Sequence, residues 1–141
     1  MVISCIADPE RAERRIRSGL RLAESLDTDL VVLTSVRLGD ARTIAMQLNS
    51  AAIDSLLDIC RELRVELQLF SSDDQMEPIS GWVDEQLAAG EVIDAVLIGT
   101  PGLFYDSGFL DRFQQRHPDL PVYLVDDSGI INPVHEQRFI V

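Results

Sequence analysis

The stretch IDAVLIGTPGLFYDSGFLDRF, residues 93–113, decides the fold. Its apolar run Ala95-Val96-Leu97-Ile98 stops at Gly99-Thr100-Pro101-Gly102. A polar turn follows, and an amphipathic run opens at Ser107-Gly108. A buried strand, a glycine loop and a helix N-terminus in succession form the junction where α/β proteins place anions and other ligands.

The same alternation extends to both sides. Upstream, Val2 to Ala7 is a short apolar run, and Asp8-Pro9-Glu10 has the chemistry of a helix start. Ala12, Ile16, Leu20 and Ala23 then recur at helical spacing. Leu30 to Val36 (LVVLTSV) is nearly all apolar, as a strand buried on both faces requires. Ile44 to Leu63 carries a helical period, and Val65 to Phe70 alternates as a strand does. A helix beginning near Pro78 is expected to stop at Gly90. Downstream, a helix is expected over 107–116, ended by His117-Pro118, and a strand over 122–125. Residues 127–141 read as a tail behind one domain, 1–126.

This pattern predicts a parallel five-stranded α/β sheet with helices on both faces. Right-handed crossovers leave two strand orders, 3-2-1-4-5 and 2-1-3-4-5. In the first, the ligand crevice lies between strands 1 and 4, walled by Ala7-Asp8 and Gly99-Thr100-Pro101-Gly102.

The chain has 141 residues and a formal net charge of −12; all twelve basic residues are arginines. Such a balance repels nucleic acid and anionic membranes. Arg11, Arg14, Arg15, Arg17 and Arg21 read as the solvated face of the first helix, partly paired with Glu10, Glu13 and Glu24 at helical spacings. No segment has the apolar length of a membrane span, the N-terminus has no signal-peptide pattern, and Cys5 and Cys60 read as buried free thiols. A cytoplasmic location is therefore expected.

Several chemistries lack their residues. A phosphoryl-accepting receiver domain needs a lysine after strand 5, where Asp126-Asp127 stand. A flavodoxin-type site needs a hydroxyl-rich loop after strand 1, and Asp8 and Glu10 repel phosphate there. There is no Walker A sequence, no GxSxG elbow and no metal-ligand spacing around His117 or His135. His117 reads as a helix C-terminal residue favoured by the dipole, Trp82 as core, and Asp73-Asp74-Glu77 as a solvated loop. The expectation is a protein that is not an enzyme, with no catalytic residues, no metal site and no required cofactor.

Cys5-Ile6-Ala7-Asp8, the helix from Ala12 to Leu26 and Asp29 to Val36 resemble the first third of the universal stress protein family. Val96 to Gly102, Phe109 to Phe113 and Leu120 to Val125 resemble its last third. The resemblance is closest to the form found in osmosensitive potassium-channel sensor kinases. It implies the Rossmann-like, adenine nucleotide alpha-hydrolase-like fold with strand order 3-2-1-4-5. Some members of that family bind ATP in the crevice between strands 1 and 4. Carried over, the resemblance implies a nucleotide site at Ala7, Asp8, Val36, Gly99, Thr100, Gly102, Ser107 and Gly108, with ATP or AMP as the ligand. Binders carry Gly-x2-Gly-x9-Gly-Ser/Thr after strand 4. Here Gly99 and Gly102 match, but five residues separate Gly102 from Gly108, and Phe109 replaces the hydroxyl. Asp106 in the loop costs a triphosphate on the order of a kcal/mol. The lost hydroxyl removes a hydrogen bond of ~1 kcal/mol. No Arg or Lys lies between Val65 and Asp111.

The expected function is thus a non-catalytic stress or signalling module acting through protein contacts, with weak or absent ATP binding. The alternative is an adenine-nucleotide switch at the same crevice. The resemblance implies a homodimer, and Phe139-Ile140-Val141 is a candidate for pairing across its interface.

Overall fold

The computed structural model describes residues 1–7, 11–36, 44–71, 77–100, 102, 105 and 108–134, excluding the side chains of 36, 44–50 and 71. The elements run β1 (Val2–Ile6), α1 (Ala12–Ser25), β2 (Leu30–Val36), α2 (Ile44–Leu63) and β3 (Glu66–Ser71). They continue with α3 (Glu77–Ala88), β4 (Ala95–Gly99), α4 (Phe109–Arg116), β5 (Val122–Val125) and β6 (Ile131–Pro133).

The sheet order is β3-β2-β1-β4-β5-β6. This selects 3-2-1-4-5 over its alternative for the first five strands. All pairs among those five are parallel, with Cys5 opposite Leu33 on one side and Ile98 on the other. Among the described residues the sheet has six strands, not five. β6 runs antiparallel to β5, with Val125 opposite Ile131 and Tyr123 opposite Pro133. The residues between them, Asp126-Asp127-Ser128-Gly129-Ile130, form a turn: the Asp126 carboxylate accepts from the Ser128 and Ile130 amides, and Gly129 has φ +84°. The glycine supplies the left-handed conformation that the turn needs. Pro133 lacks an N–H and is tolerated because β6 is an edge strand.

Side chains alternate across the sheet and divide the core into two layers. Val2, Ile6, Leu30, Val32, Ala95 and Leu97 pack with Ala12 and Ile16 of α1 and Leu56 and Cys60 of α2. Ile3, Cys5, Val31, Leu33, Val96 and Ile98 pack with Ile79 and Val83 of α3 and with Phe109 and Phe113 of α4. Burying each large apolar side chain contributes about 1.5–3 kcal/mol. Helices therefore cover both faces, as the continuous apolar runs required.

Three helices end in the same hydrogen-bond pattern. Thr28 N–H donates to Ala23 O, Val65 N–H to Cys60 O and Glu91 N–H to Gln86 O. Each pattern needs a residue of positive φ, supplied by Asp27 (55°), Arg64 (57°) and Gly90 (85°). Only Gly90 was expected from the sequence. α1 begins at Ala12, with Arg11 at the N-cap and no side-chain cap bond; Asp8 and Pro9 lie outside the described residues. α4 is described from Phe109, with Gly108 as its N-cap; Ser107 lies outside the described residues.

Candidate functional site at the carboxyl ends of β1 and β4

The strand order reverses between β1 and β4, and the chain leaves both strands at the same end of the sheet. Ala7 follows β1 and packs half-buried against the α3–α4 core layer. Gly99 ends β4, and Thr100 follows with its amide donating to Val125 O at 2.9 Å. Gly102 is half-buried behind it. Val36 ends β2 one strand further out, opposite Ser71 of β3. Gly108 is the N-cap of α4, with φ +81°. Of the expected site residues, Ala7, Gly99, Thr100 and Gly102 are thus brought to one end of the sheet. Asp8 and Ser107 lie outside the described residues, as does Asp106.

The space beside Gly99 is filled by Arg15 of α1. A Cβ on residue 99 would overlap the Arg15 guanidinium, and one on Gly102 would come 3.5 Å from Arg15 Nη1. Gly99 is needed here for close approach. Arg15 is 5% exposed. Its Nη2 donates to Asp127 Oδ1 at 2.9 Å, in the β5–β6 turn. Neighbouring α1 residues hold the same turn. Arg14 Nη1 donates to the Asp127 carbonyl at 3.2 Å, and Arg11 Nη1 stands 3.6 Å from Asp127 Oδ2. Ser18 Oγ donates to the Gly129 carbonyl at 2.8 Å and accepts from Arg21 Nη2.

The reading of the arginine cluster as a solvated helix face holds for Arg11, Arg14, Arg17 and Arg21, which are exposed, and is corrected at Arg15, which is buried. Arg17 does pair with Glu13, at 3.6 Å. Arg11, Arg14 and Arg15 instead reach Asp127 in the β5–β6 turn, more than a hundred residues away in sequence. The cation missing from residues 65–111 arrives beside the glycine loop from α1. Its signal in the sequence is position: Arg15 lies three residues after Ala12 and four before Gly19, on the stripe that faces the sheet.

Elsewhere, Thr34 Oγ1 donates to Ile6 O at 2.7 Å, tying β2 to the end of β1 in a buried position. Burial pushes the Cys5 thiol up to about 12 and raises that of Cys60, so both stay protonated. His117 is buried at the C-cap of α4 and stacks on Phe113 with ring centroids 4.7 Å apart. Burial lowers its pKa, against the opposing pull of Asp84 and with a smaller push from Arg116. The position at the helix C-terminus is the one the sequence suggested. A groove of about 740 Å³ opens at the opposite pole, where Glu24, Asp29, Glu66 and Glu91 surround Arg64 and half-buried Trp82. Among the described residues no group of three His, Cys, Asp or Glu could hold a metal ion, and no helix is long and apolar enough to cross a membrane.

No protein-family model and no curated protein matches the chain. Among solved structures it is similar to a universal stress protein in complex with cAMP, at 14% identity and a TM-score of 0.48, over 90% of this chain and 96% of that one.

Proposed function

We propose that the chain is a non-catalytic stress or signalling module of the universal stress protein type, in the form found in osmosensitive potassium-channel sensor kinases. It works through protein contacts, as a homodimer in the cytoplasm, and holds ATP weakly or not at all. The observation supporting this reading is the pairing of Arg15 with Asp127. The cation nearest the glycine loop already holds an internal carboxylate, so a triphosphate must compete for it. The shortened loop and Phe109 at the hydroxyl position act in the same direction. The proposed pairing segment, Phe139–Val141, lies outside the described residues. Isothermal titration of ATP, combined with native mass spectrometry, tests the reading. A ligand-free dimer with a dissociation constant above about 1 mM is expected. A tight ATP complex, or steady ATP hydrolysis, would overturn it.

A second reading is an adenine-nucleotide switch at the crevice, binding through Ala7, Asp8, Val36, Gly99, Thr100, Gly102, Ser107 and Gly108. It is favoured by the same guanidinium, which supplies positive charge beside Gly99 and Gly102. Gly102→Val should abolish AMP or ATP binding while the fold persists. Unchanged affinity in that variant removes the site.

A further inference from the structure

Arg15 and Asp127 are an unequal pair. The Arg15 side chain is 6% exposed and the Asp127 side chain 56%. Arg15 is a buried residue of α1 with its guanidinium against Gly99, where a charge left without a counter-ion is costly. Asp127 sits on an exposed turn, and its carboxylate can rotate into solvent at little cost. A buried cation must keep a counter-charge, but not necessarily this one. The Asp127 carboxylate lies between Arg15 Nη2 and Arg11 Nη1. Small anions have the size and charge to occupy that position.

We propose that Arg15, with Arg11, forms an anion-binding site beside the Gly99–Gly102 loop, and that Asp127 is the internal anion a phosphate group displaces. The ligand class is a phosphate, free or carried by a nucleotide. The inference deepens the crevice reading and rests on the loop being a ligand site. Displacement also frees one of the contacts that hold the β5–β6 turn to α1. The contact between Ser18 Oγ and the Gly129 carbonyl remains to keep the turn in place. Occupancy is thereby reported at the β6 edge of the sheet.

The experiment titrates inorganic phosphate, AMP and ATP separately into wild type and Asp127→Asn, by calorimetry and by amide NMR of Gly99 and Gly129. Removing the competing carboxylate should tighten phosphate binding about fivefold, the worth of a ~1 kcal/mol ion pair. Both amides should shift with it. Gly99→Ala, which pushes the guanidinium aside, should lose the effect. Asp127→Ser serves equally if the asparagine variant does not fold. Equal phosphate affinity in folded wild type and variant overturns the inference, as do amide shifts confined to other regions. ATP binding to wild type without any gain in the variant overturns the role of Arg15 and leaves the nucleotide switch intact. A gain for inorganic phosphate with no binding of AMP or ATP supports the anion site and removes the nucleotide switch.

Discussion

Gly99 and Arg15 share one volume: the arginine guanidinium lies where any larger residue at 99 would place its Cβ. The two come from different elements, β4 and α1, 84 positions apart in the chain. Gly99→Ala should therefore destabilise the fold by about 1–3 kcal/mol through overpacking. Gly81, inside α3, meets nothing within 4 Å. Gly81→Ala should stabilise by roughly 0.5–1 kcal/mol through helix propensity. Urea unfolding of the two variants against wild type measures both.

Arg64 closes α2 with φ +57°, in a conformation that favours glycine. Arg64→Gly should raise stability by about 0.5–1 kcal/mol, the balance of relieved left-handed strain and added unfolded-state entropy. A thermal midpoint at or below that of wild type would contradict this account of the helix end.

The hydroxyl of Thr34 is buried and bonded to the carbonyl of Ile6. Thr34→Val keeps the shape and removes the donor. A loss of about 1–2 kcal/mol is expected. Since Ala7 follows directly, the same variant should shift the amide resonance of residue 7.

His117 carries a pH dependence whose sign follows from burial. Its Nε2 stands 3.4 Å from Asp84 Oδ1, while Arg116 bridges Asp84 and Glu77. Its folded pKa lies below the ordinary 6.5 because desolvation dominates. Above pH 6.5 the imidazole is neutral in both states and imposes no penalty. As pH falls through 6.5 toward the folded pKa, the unfolded chain takes up the proton first, and stability declines. Urea midpoints from pH 7.5 to 5.5 should fall more steeply in wild type than in His117→Asn. Parallel slopes would show that the imidazole is not the group responsible.

Phe113 packs between Phe109, 5.5 Å away, and His117 on the α4 face of the core. Phe113→Ala should cost about 3–5 kcal/mol. Calorimetric unfolding of the purified variant gives the number directly.

Much of this was legible in the residues. Val2–Ile6, Leu30–Val36 and Ala95–Gly99 are short, apolar and separated by helical periods, and a strand buried on both faces needs no tertiary information to be recognised. Gly99 and Gly102 marked the loop for the same reason: a chain leaving a central strand must turn sharply. β6 was missed although Asp126-Asp127-Ser128-Gly129 lies between two apolar segments, a hairpin signal. The strand has only three residues and a proline, too few for alternation to register. Arg15 was missed because five arginines crowd α1 and its N-cap, and their spacing to nearby glutamates gives local pairing as the economical reading. Which arginine turns inward depends on the absence of a side chain at residue 99, a relation between distant positions that no local pattern contains.

The placement of β1 at the centre of the sheet sets the order in which the chain can assemble on the ribosome. β1 emerges first, yet one of its two neighbours, β4, ends about 90 residues later. At ~5–20 residues per second, β1 waits roughly 5–20 s for that partner. Until then the β1-β2-β3 half exposes the unpaired edge of its most apolar strand. The nascent protein is therefore most prone to misassociation while residues 71–99 are being made, and slowed translation over that interval should lower the soluble yield.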